Sequence, residues 1–352
     1  MNQSIGKLNL EGMGQQRPFV IAGPCAAESR EQVLGTAKEL SRIGVRYFRA
    51  GVWKPRTRPG GFEGVGSIAF EWMQEARELY GLRIATEVAT PRHVEAALAA
   101  RTDLLWIGAR TTASPFAVQE IAEALKGTGV QLLIKNPVSP DLSLWCGAVE
   151  RFLESGLRRI GLIHRGFSWI GGSSCRNAPL WNLPIEMRRL WPDVTMVCDP
   201  SHIGGRRDLV GPLAQQALDL DFDGLLIESH IYPDVALSDR GQQLTPVELE
   251  QTLKSLHRRE DAPLSGEVSA LRGRIDALDR EMIELLAARQ EITDRIGRYK
   301  KSNDLPLLQS DRYREIIADR ARLAREKGLD PDFVTALMET IHDESIRRQV
   351  EP

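Results

Sequence analysis

The chain has only four cysteines in 352 residues, Cys25, Cys146, Cys175 and Cys198, and no two of them form a CxxC pair. That argues against a disulfide framework or a zinc ribbon. It also lacks charge of one dominant sign. Lys plus Arg number 46 and Asp plus Glu 48, a formal net charge of −2, and the basic residues do not gather into a long run. Nucleic acid and membrane surfaces are therefore not expected partners. No run of 18 apolar residues occurs, and the opening MNQSIGKLNLEGMG holds no apolar signal core. A cytoplasmic location is the expectation. Low-complexity tracts are absent, and no repeat emerges beyond a strand–helix alternation.

What is present is a chain 42% hydrophobic, long enough for one large domain and a small one. Eight short apolar runs in the first 230 residues each end in, or lead into, a reactive or charged residue. They are FVIAGPC (Cys25), VRYFRAG (Arg49), RIATE (Glu87), LLWIGAR (Arg110), LLIK (Lys135), RIGLIHR (Arg165), MVCDPSH (His202) and GLLIE (Glu228). Successive residues of this series lie 23 to 38 positions apart, one strand–helix–loop unit each. Eight such units predict an α/β fold, the (β/α)8 TIM barrel, with its active site at the carboxyl ends of the strands.

The alternation stops near residue 260. TPVELEQTLKSLHRR predicts a last barrel helix from Pro246 to about Arg259, with Thr245 as N-cap. Residues 260–266 read as a Pro/Gly/Ser linker between a barrel domain (1–259) and an all-α domain (267–352). There Val268, Leu271, Ile275, Leu278, Met282, Leu285, Arg289, Ile292, Ile296 and Tyr299 alternate by three and four without a slip. This heptad stripe predicts one long helix, followed by helices over about 311–327 and 331–349. Three helices alone make a poor core, so the seam predicts pairing with a second copy.

The barrel rim collects two sets of groups. Cys25, His202, Glu228 and Asp239 fall at or after strands 1, 7 and 8, which closure of a barrel makes neighbours. Thiolate, imidazole and two carboxylates suit one divalent metal of the Mn, Fe, Co or Zn class. Taken singly, a cysteine there is more often a small buried hydrophobe and a histidine a hydrogen-bonded core residue. Arg49, Lys54, Arg56, Arg110, Lys135 and Arg165 form the second set. Six cations around one mouth imply small, multiply anionic ligands, with one or two of the six paired to Glu87 or to helix carboxylates. Asp199 could orient a ligand from behind, and His164 and His230 are equally open to structural roles. The loop 171–182, GGSSCRNAPLWN, reads as a lid. In the tail, Arg289 occupies a core position and needs an anion unless it snorkels or sets pairing register. Lys300, three turns on, shares its face, and Ser345 and Gln349 lie one turn apart on the last helix.

IAGPCAAES, FRAGVWKPRTRPGGFEGVG, ATEV, IGARTT, IKNP, DPSHIGGRR and IESHIYPDVALSDRGQQLTP resemble the motifs of the 3-deoxy-D-arabino-heptulosonate-7-phosphate (DAHP) synthases of type I beta, over residues 18–258. The resemblance implies a metal-dependent condensation of phosphoenolpyruvate with erythrose 4-phosphate, without an organic cofactor. It implies Cys25, His202, Glu228 and Asp239 as metal ligands. Arg49, Lys54, Arg110, Lys135 and Arg165 would hold phosphoenolpyruvate, Arg56 and Thr57 the aldose phosphate, and Glu87 would position water or phosphoenolpyruvate. A sister family making 3-deoxy-octulosonate 8-phosphate has KANR where this chain has KPRT, which favours the four-carbon aldose. The stretch LRGRIDALDREMIELLAARQEITDRIGRYK, with the later SDRYREI and DESIRRQ, resembles the all-helical chorismate mutases. That implies an intertwined homodimer, with a higher oligomer open. Arg272 would reach in from the partner chain, and Arg289, Lys300, Arg312, Ser345 and Gln349 would bind chorismate. Gln309 and Tyr313 stand where that family has Asp and Glu, on the hydroxyl side of the substrate. The expectation is a bifunctional enzyme of aromatic amino acid biosynthesis; the alternative is a synthase whose tail mainly dimerises and senses prephenate or chorismate.

Overall fold

A computed structural model of the chain describes residues 5–10, 18–55, 60–168, 174–258, 266–307 and 310–350. The chain divides into two compact units, Met1–Glu260 and Asp261–Pro352. Arg56, Thr57, Gln309, residues 260–265 of the expected linker and residues 171–173 of the loop lie outside the described residues.

In the first unit, eight parallel strands close into a barrel in sequence order. They are β1 (Phe19–Gly23), β2 (Tyr47–Arg49), β3 (Arg83–Val88), β4 (Leu104–Ile107), β5 (Gln131–Lys135), β6 (Ile160–His164), β7 (Thr195–Cys198) and β8 (Gly224–Glu228). Around them run α1 (Arg30–Arg42), α2 (Ala69–Tyr80), α3 (Pro91–Ala99), α4 (Ala109–Thr112), α5 (Pro115–Ala124), α6 (Leu142–Glu154), α7 (Asn182–Leu190), α8 (Pro200–Gly204), α9 (Arg207–Asp219) and α10 (Pro246–Ser255). Several helix starts are spelled by a cap residue followed by proline. Thr90, Ser114, Asp199 and Thr245 each accept a backbone N–H from the first turn, with Pro next in the chain. Such a cap contributes about 1 kcal/mol, and proline at N1 forfeits no helical hydrogen bond. α10 ends at Ser255 rather than Arg259, because Leu256 turns to extended backbone.

Alternation along the strands sorts the interior into layers. Tyr47, Ala85, Leu133, Ile163 and Leu226 belong to the apolar cluster that fills the barrel, together with Phe19, Ile21, Leu104 and Trp106. Two residues further on, the same face presents Arg49, Glu87, Lys135, Arg165 and Glu228. Leu8 and Leu10 of the N-terminal segment join the interior cluster, and Gly6 bridges to Arg159 beside the start of β6. The opening residues thus complete the core. Gly23 is required by close approach. It sits at φ +152, and a Cβ there would lie 2.0 Å from the Arg49 carbonyl oxygen on β2.

The second unit is three helices, α11 (Gly266–Ser302), α12 (Ser310–Glu326) and α13 (Pro331–Val350). The heptad stripe is on α11 as expected, and it is uncovered in the single chain. Leu271, Ile275, Leu278, Met282, Leu285, Ile292 and Ile296 are all exposed. Among the described residues, no helix is long and apolar enough to cross a membrane.

Candidate active sites

Closure of the barrel builds the first site. β1 pairs with β8, with Gly23 opposite Glu228, so Cys25 arrives beside the end of β8 although about 200 residues separate them. Asp239 reaches the same point from the loop after β8, with a left-handed backbone (φ 47). Cys25 Sγ donates to Asp239 Oδ2 at 3.1 Å. The Cys25 sulfur and one carboxylate oxygen each of Glu228 and Asp239 all lie within 4.8 Å of one another. His202, on α8, is at the edge of this group, its Nε2 3.7 Å from Glu228 Oε1. Its Nδ1 faces Asp199 at 2.9 Å, and Asp199 also caps α8 by accepting the His202 N–H. Glu228 Oε1 is buried and accepts no hydrogen bond among the described residues, although Arg49 approaches to 3.3 Å. A thiol and two carboxylates in one group, with an imidazole at its edge, are a donor set that fits a divalent cation.

Three residues that the strand-end pattern does not single out hold this group in place. Gln242 donates to Glu228 Oε2 at 2.6 Å, and Gln243 accepts the Cys25 N–H at 2.9 Å. Arg176 donates to Asp239 Oδ1 and Gln242 Oε1, both at 2.9 Å. The GQQ triplet within the quoted motif, residues 241–243, is the signal that could have found two of them.

Among the described cations, Arg49 and Lys135 are buried above the apolar layer, Lys54 and Arg165 are half-buried, and Arg110, on α4, is exposed. Lys54 Nζ donates to Cys25 Sγ at 2.8 Å and to the Cys25 carbonyl at 3.1 Å. Burial works against its charge, but Cys25, Glu228 and Glu87 outweigh that and hold its pKa above the ordinary lysine value. Burial, then Glu228, pushes the Cys25 thiol far up. Arg49 is 1% exposed, with Nε and Nη1 lacking hydrogen-bond partners among the described residues and its guanidinium 5.1 Å from the Trp106 ring centre. Lys135 pairs with Asp199 at 2.8 Å. Arg165 donates to Asn177 at 2.9 Å, and its pKa falls to about 10 through burial and then the positive Arg176 and Arg110, against Asp199. Among the described residues, Arg49 pairs with Glu228 and Lys135 with Asp199, carboxylates at the strand ends. Glu87 instead accepts from Trp106 Nε1 at 2.9 Å. His164 packs among Phe167, Trp181 and Phe222, and burial lowers its pKa to about 3. His230 is buried and accepts the Tyr232 N–H at 2.8 Å.

In the helical unit, α11 and α13 bring one set together. Arg289 Nη1 donates to Ser345 Oγ at 2.7 Å. Gln349 is buried with Oε1 unpartnered among the described residues, and it fits because position 297 is glycine. A Cβ there would meet Gln349 Cγ at 2.7 Å. Lys300 donates to the Leu307 carbonyl at 2.7 Å. Two expected members stand apart in the single chain. Arg312 is exposed and pairs with Glu315 at 2.6 Å, and Arg272 is exposed near the start of α11.

Comparison with known proteins matches this division. Residues 7–262 match the DAHP synthetase I family, and residues 271–350 match chorismate mutase type II. The chain is 31% identical over 243 residues to a phospho-2-dehydro-3-deoxyheptonate aldolase of Thermotoga maritima, covering 69% of this chain and 70% of that one. A crystal structure of the Thermotoga maritima phospho-2-dehydro-3-deoxyheptonate aldolase (DAHP synthase) superposes with a TM-score of 0.61 at 30% identity, over 67% of each chain. A 2-dehydro-3-deoxyphosphooctonate aldolase of Rhizobium meliloti is 30% identical over 67% of this chain and 89% of its own. The tail is 37% identical over 84 residues to a 4-amino-4-deoxychorismate mutase of Streptomyces pristinaespiralis, 24% of this chain and 65% of that protein's length. The chain therefore belongs to the DAHP synthetase I family and carries a chorismate mutase type II region behind its barrel.

Proposed function

We propose that the barrel condenses phosphoenolpyruvate with erythrose 4-phosphate to DAHP and phosphate, and that the helical unit rearranges chorismate to prephenate. The observation that carries the first half is the convergence of Cys25, Glu228 and Asp239 beside Lys54 and the buried Arg49. Cys25, His202, Glu228 and Asp239 would hold the divalent metal, of the Mn, Fe, Co or Zn class. When bound, it would supply Lewis-acid polarisation of the aldehyde carbonyl. Gln242, Gln243 and Arg176 would fix the ligands from behind.

Arg49, Lys135, Arg165 and Arg110 form the phosphoenolpyruvate cradle. Arg49 is a buried cation and Arg165 a half-buried one, which a bound phosphate and carboxylate would compensate. C3 of phosphoenolpyruvate attacks the aldehyde carbon, water adds at C2, and phosphate leaves. Lys54, kept protonated by its anionic neighbours, donates a proton to the nascent alkoxide. Glu87, oriented by Trp106, positions the water or phosphoenolpyruvate. Arg56 and Thr57 hold the aldose phosphate. KPRT at 54–57 favours the four-carbon sugar over the larger one of the phosphooctonate relatives.

The rearrangement of chorismate needs no nucleophile. Arg289 and Arg312 would fix its carboxylates in the reactive conformer with help from Ser345, while Lys300 and Gln349 hydrogen-bond the ether oxygen as charge grows on it. Arg272 lies 17 residues before Arg289 on one helix, about 25 Å at 1.5 Å per residue, so it reaches such a pocket only from a second chain. The exposed apolar stripe of α11 supports the same homodimer. Tyr313 in place of an acid favours a second reading, in which the tail chiefly senses prephenate and restrains the barrel; that reading fails if prephenate leaves the condensation rate unchanged.

The test follows chorismate in the full chain and in Lys300→Ala, and DAHP formation with and without a chelator. Rapid conversion to prephenate, reduced about 10²–10³-fold in the variant, is expected. Condensation should stop on chelation and return with divalent metal. Binding of prephenate without turnover would make the tail a sensor.

A further inference from the structure

His342 lies on α13, three residues before Ser345 and seven before Gln349, so it shares the face of the helix that carries them. Its Nε2 is buried and has no hydrogen-bond partner among the described residues. The Tyr313 ring of α12 packs on it, centroids 4.5 Å apart and planes inclined by 43°. Arg289 and Lys300 from α11 and Asp343 on its own helix act electrostatically on this imidazole, against which the Tyr313 ring of α12 packs. Burial first, then Arg289 and Lys300, lowers its pKa against the opposing Asp343. Burial first, then Glu339 and Asp343, raises that of Tyr313. Both directions favour the neutral forms of the two side chains, beside the cations Arg289 and Lys300.

The ligand class of the mutase reading carries two carboxylates, an ether oxygen and one ring hydroxyl. Arginine and lysine are the better partners for the carboxylates and for a developing negative charge. A neutral imidazole competes poorly for either, but it matches a hydroxyl, which both donates and accepts. We propose that His342 is a specificity-determining residue of the helical pocket, its Nε2 hydrogen-bonding the ring hydroxyl of chorismate, and that Tyr313 is a positioning residue that holds the imidazole in place. This rests on the reading of the tail as a chorismate pocket and adds the groups that read the ring substituent. Tyr313 then belongs to a different recognition device and does not signal a lost function.

The experiment compares the full chain with His342→Leu and His342→Gln on chorismate and on an analogue with hydrogen in place of the ring hydroxyl. DAHP formation is measured alongside as a check on folding. His342→Leu should lower kcat/KM for chorismate about 10–100-fold and leave the analogue within about twofold, because only the hydroxylated ligand loses a partner. His342→Gln should recover part of the loss. Equal losses on both ligands would mean that His342 only shapes the pocket and would overturn the proposal. If the chain binds chorismate without turnover, the mutase reading falls and the same comparison in Kd decides this one. Binding of neither ligand overturns both.

Discussion

The two units solve the problem of building a site in opposite ways. In the barrel, residues as far apart as Cys25 and Asp239 meet within one chain, because strand order closes and β1 lies against β8. Several of its charged groups are buried and already satisfied in part, as Lys135 is by Asp199 and Glu228 by Gln242. In the helical unit, one periodic helix lays out Arg272, Arg289 and Lys300 in a line, and a line cannot enclose a ligand. Its apolar stripe is open and its pocket is partial, with Arg312 turned to a solvent ion pair. On the proposed reading, a closed sheet gathers its site within one chain, whereas an open three-helix unit would take its missing wall from a second copy.

The largest effects should separate the two sites outright. Cys25→Ala should lower DAHP formation by about 10³-fold or more, the worth of several kcal/mol of lost electrophilic assistance, and spare chorismate turnover. Arg289→Ala should do the reverse. Loss of both activities in either folded variant, measured by parallel assays on one preparation, would break the comparison. Next, Leu285→Asp in the exposed stripe should weaken self-association about 10³-fold in Kd, since a symmetric seam loses roughly 2 kcal/mol at each of two copies. Sedimentation should then show smaller species. Mutase activity should fall at low protein concentration while DAHP formation per chain holds. A condensation rate that falls in step would show that the barrel too depends on pairing. Smallest is Gly297→Ala, which crowds Gln349. Overpacking of this kind costs about 1–3 kcal/mol, so mutase kcat should drop about tenfold with DAHP formation unchanged. No change would place Gln349 outside the chemistry.

Much of this architecture is readable in one dimension because both folds are periodic. Alternation two residues ahead of Arg49, Glu87, Lys135, Arg165 and Glu228 places apolar partners in the interior layer and the charges at the rim. The three-four alternation from Val268 to Tyr299 specifies α11, and the Thr245–Pro246 start of α10 is a full capping box. The roles of Arg176, Gln242 and Gln243 had no such signal, since they sit in loops where no period operates. His342 was hidden for another reason. A histidine on a helix declares nothing until its neighbours on two other helices are known.

By itself the sequence determined what local physics controls: which residues are strand, helix or cap, which face is apolar, and which reactive groups end a strand. Only the tertiary structure decided which groups share a space. It placed Cys25 Sγ against Asp239 and Lys54, gave Glu87 to Trp106 and Lys135 to Asp199, and left Arg312 outside the Arg289–Ser345 contact. Periodicity fixes the direction of a side chain from its own element. The identity of the group it meets depends on barrel closure and helix packing, which sum over the whole chain.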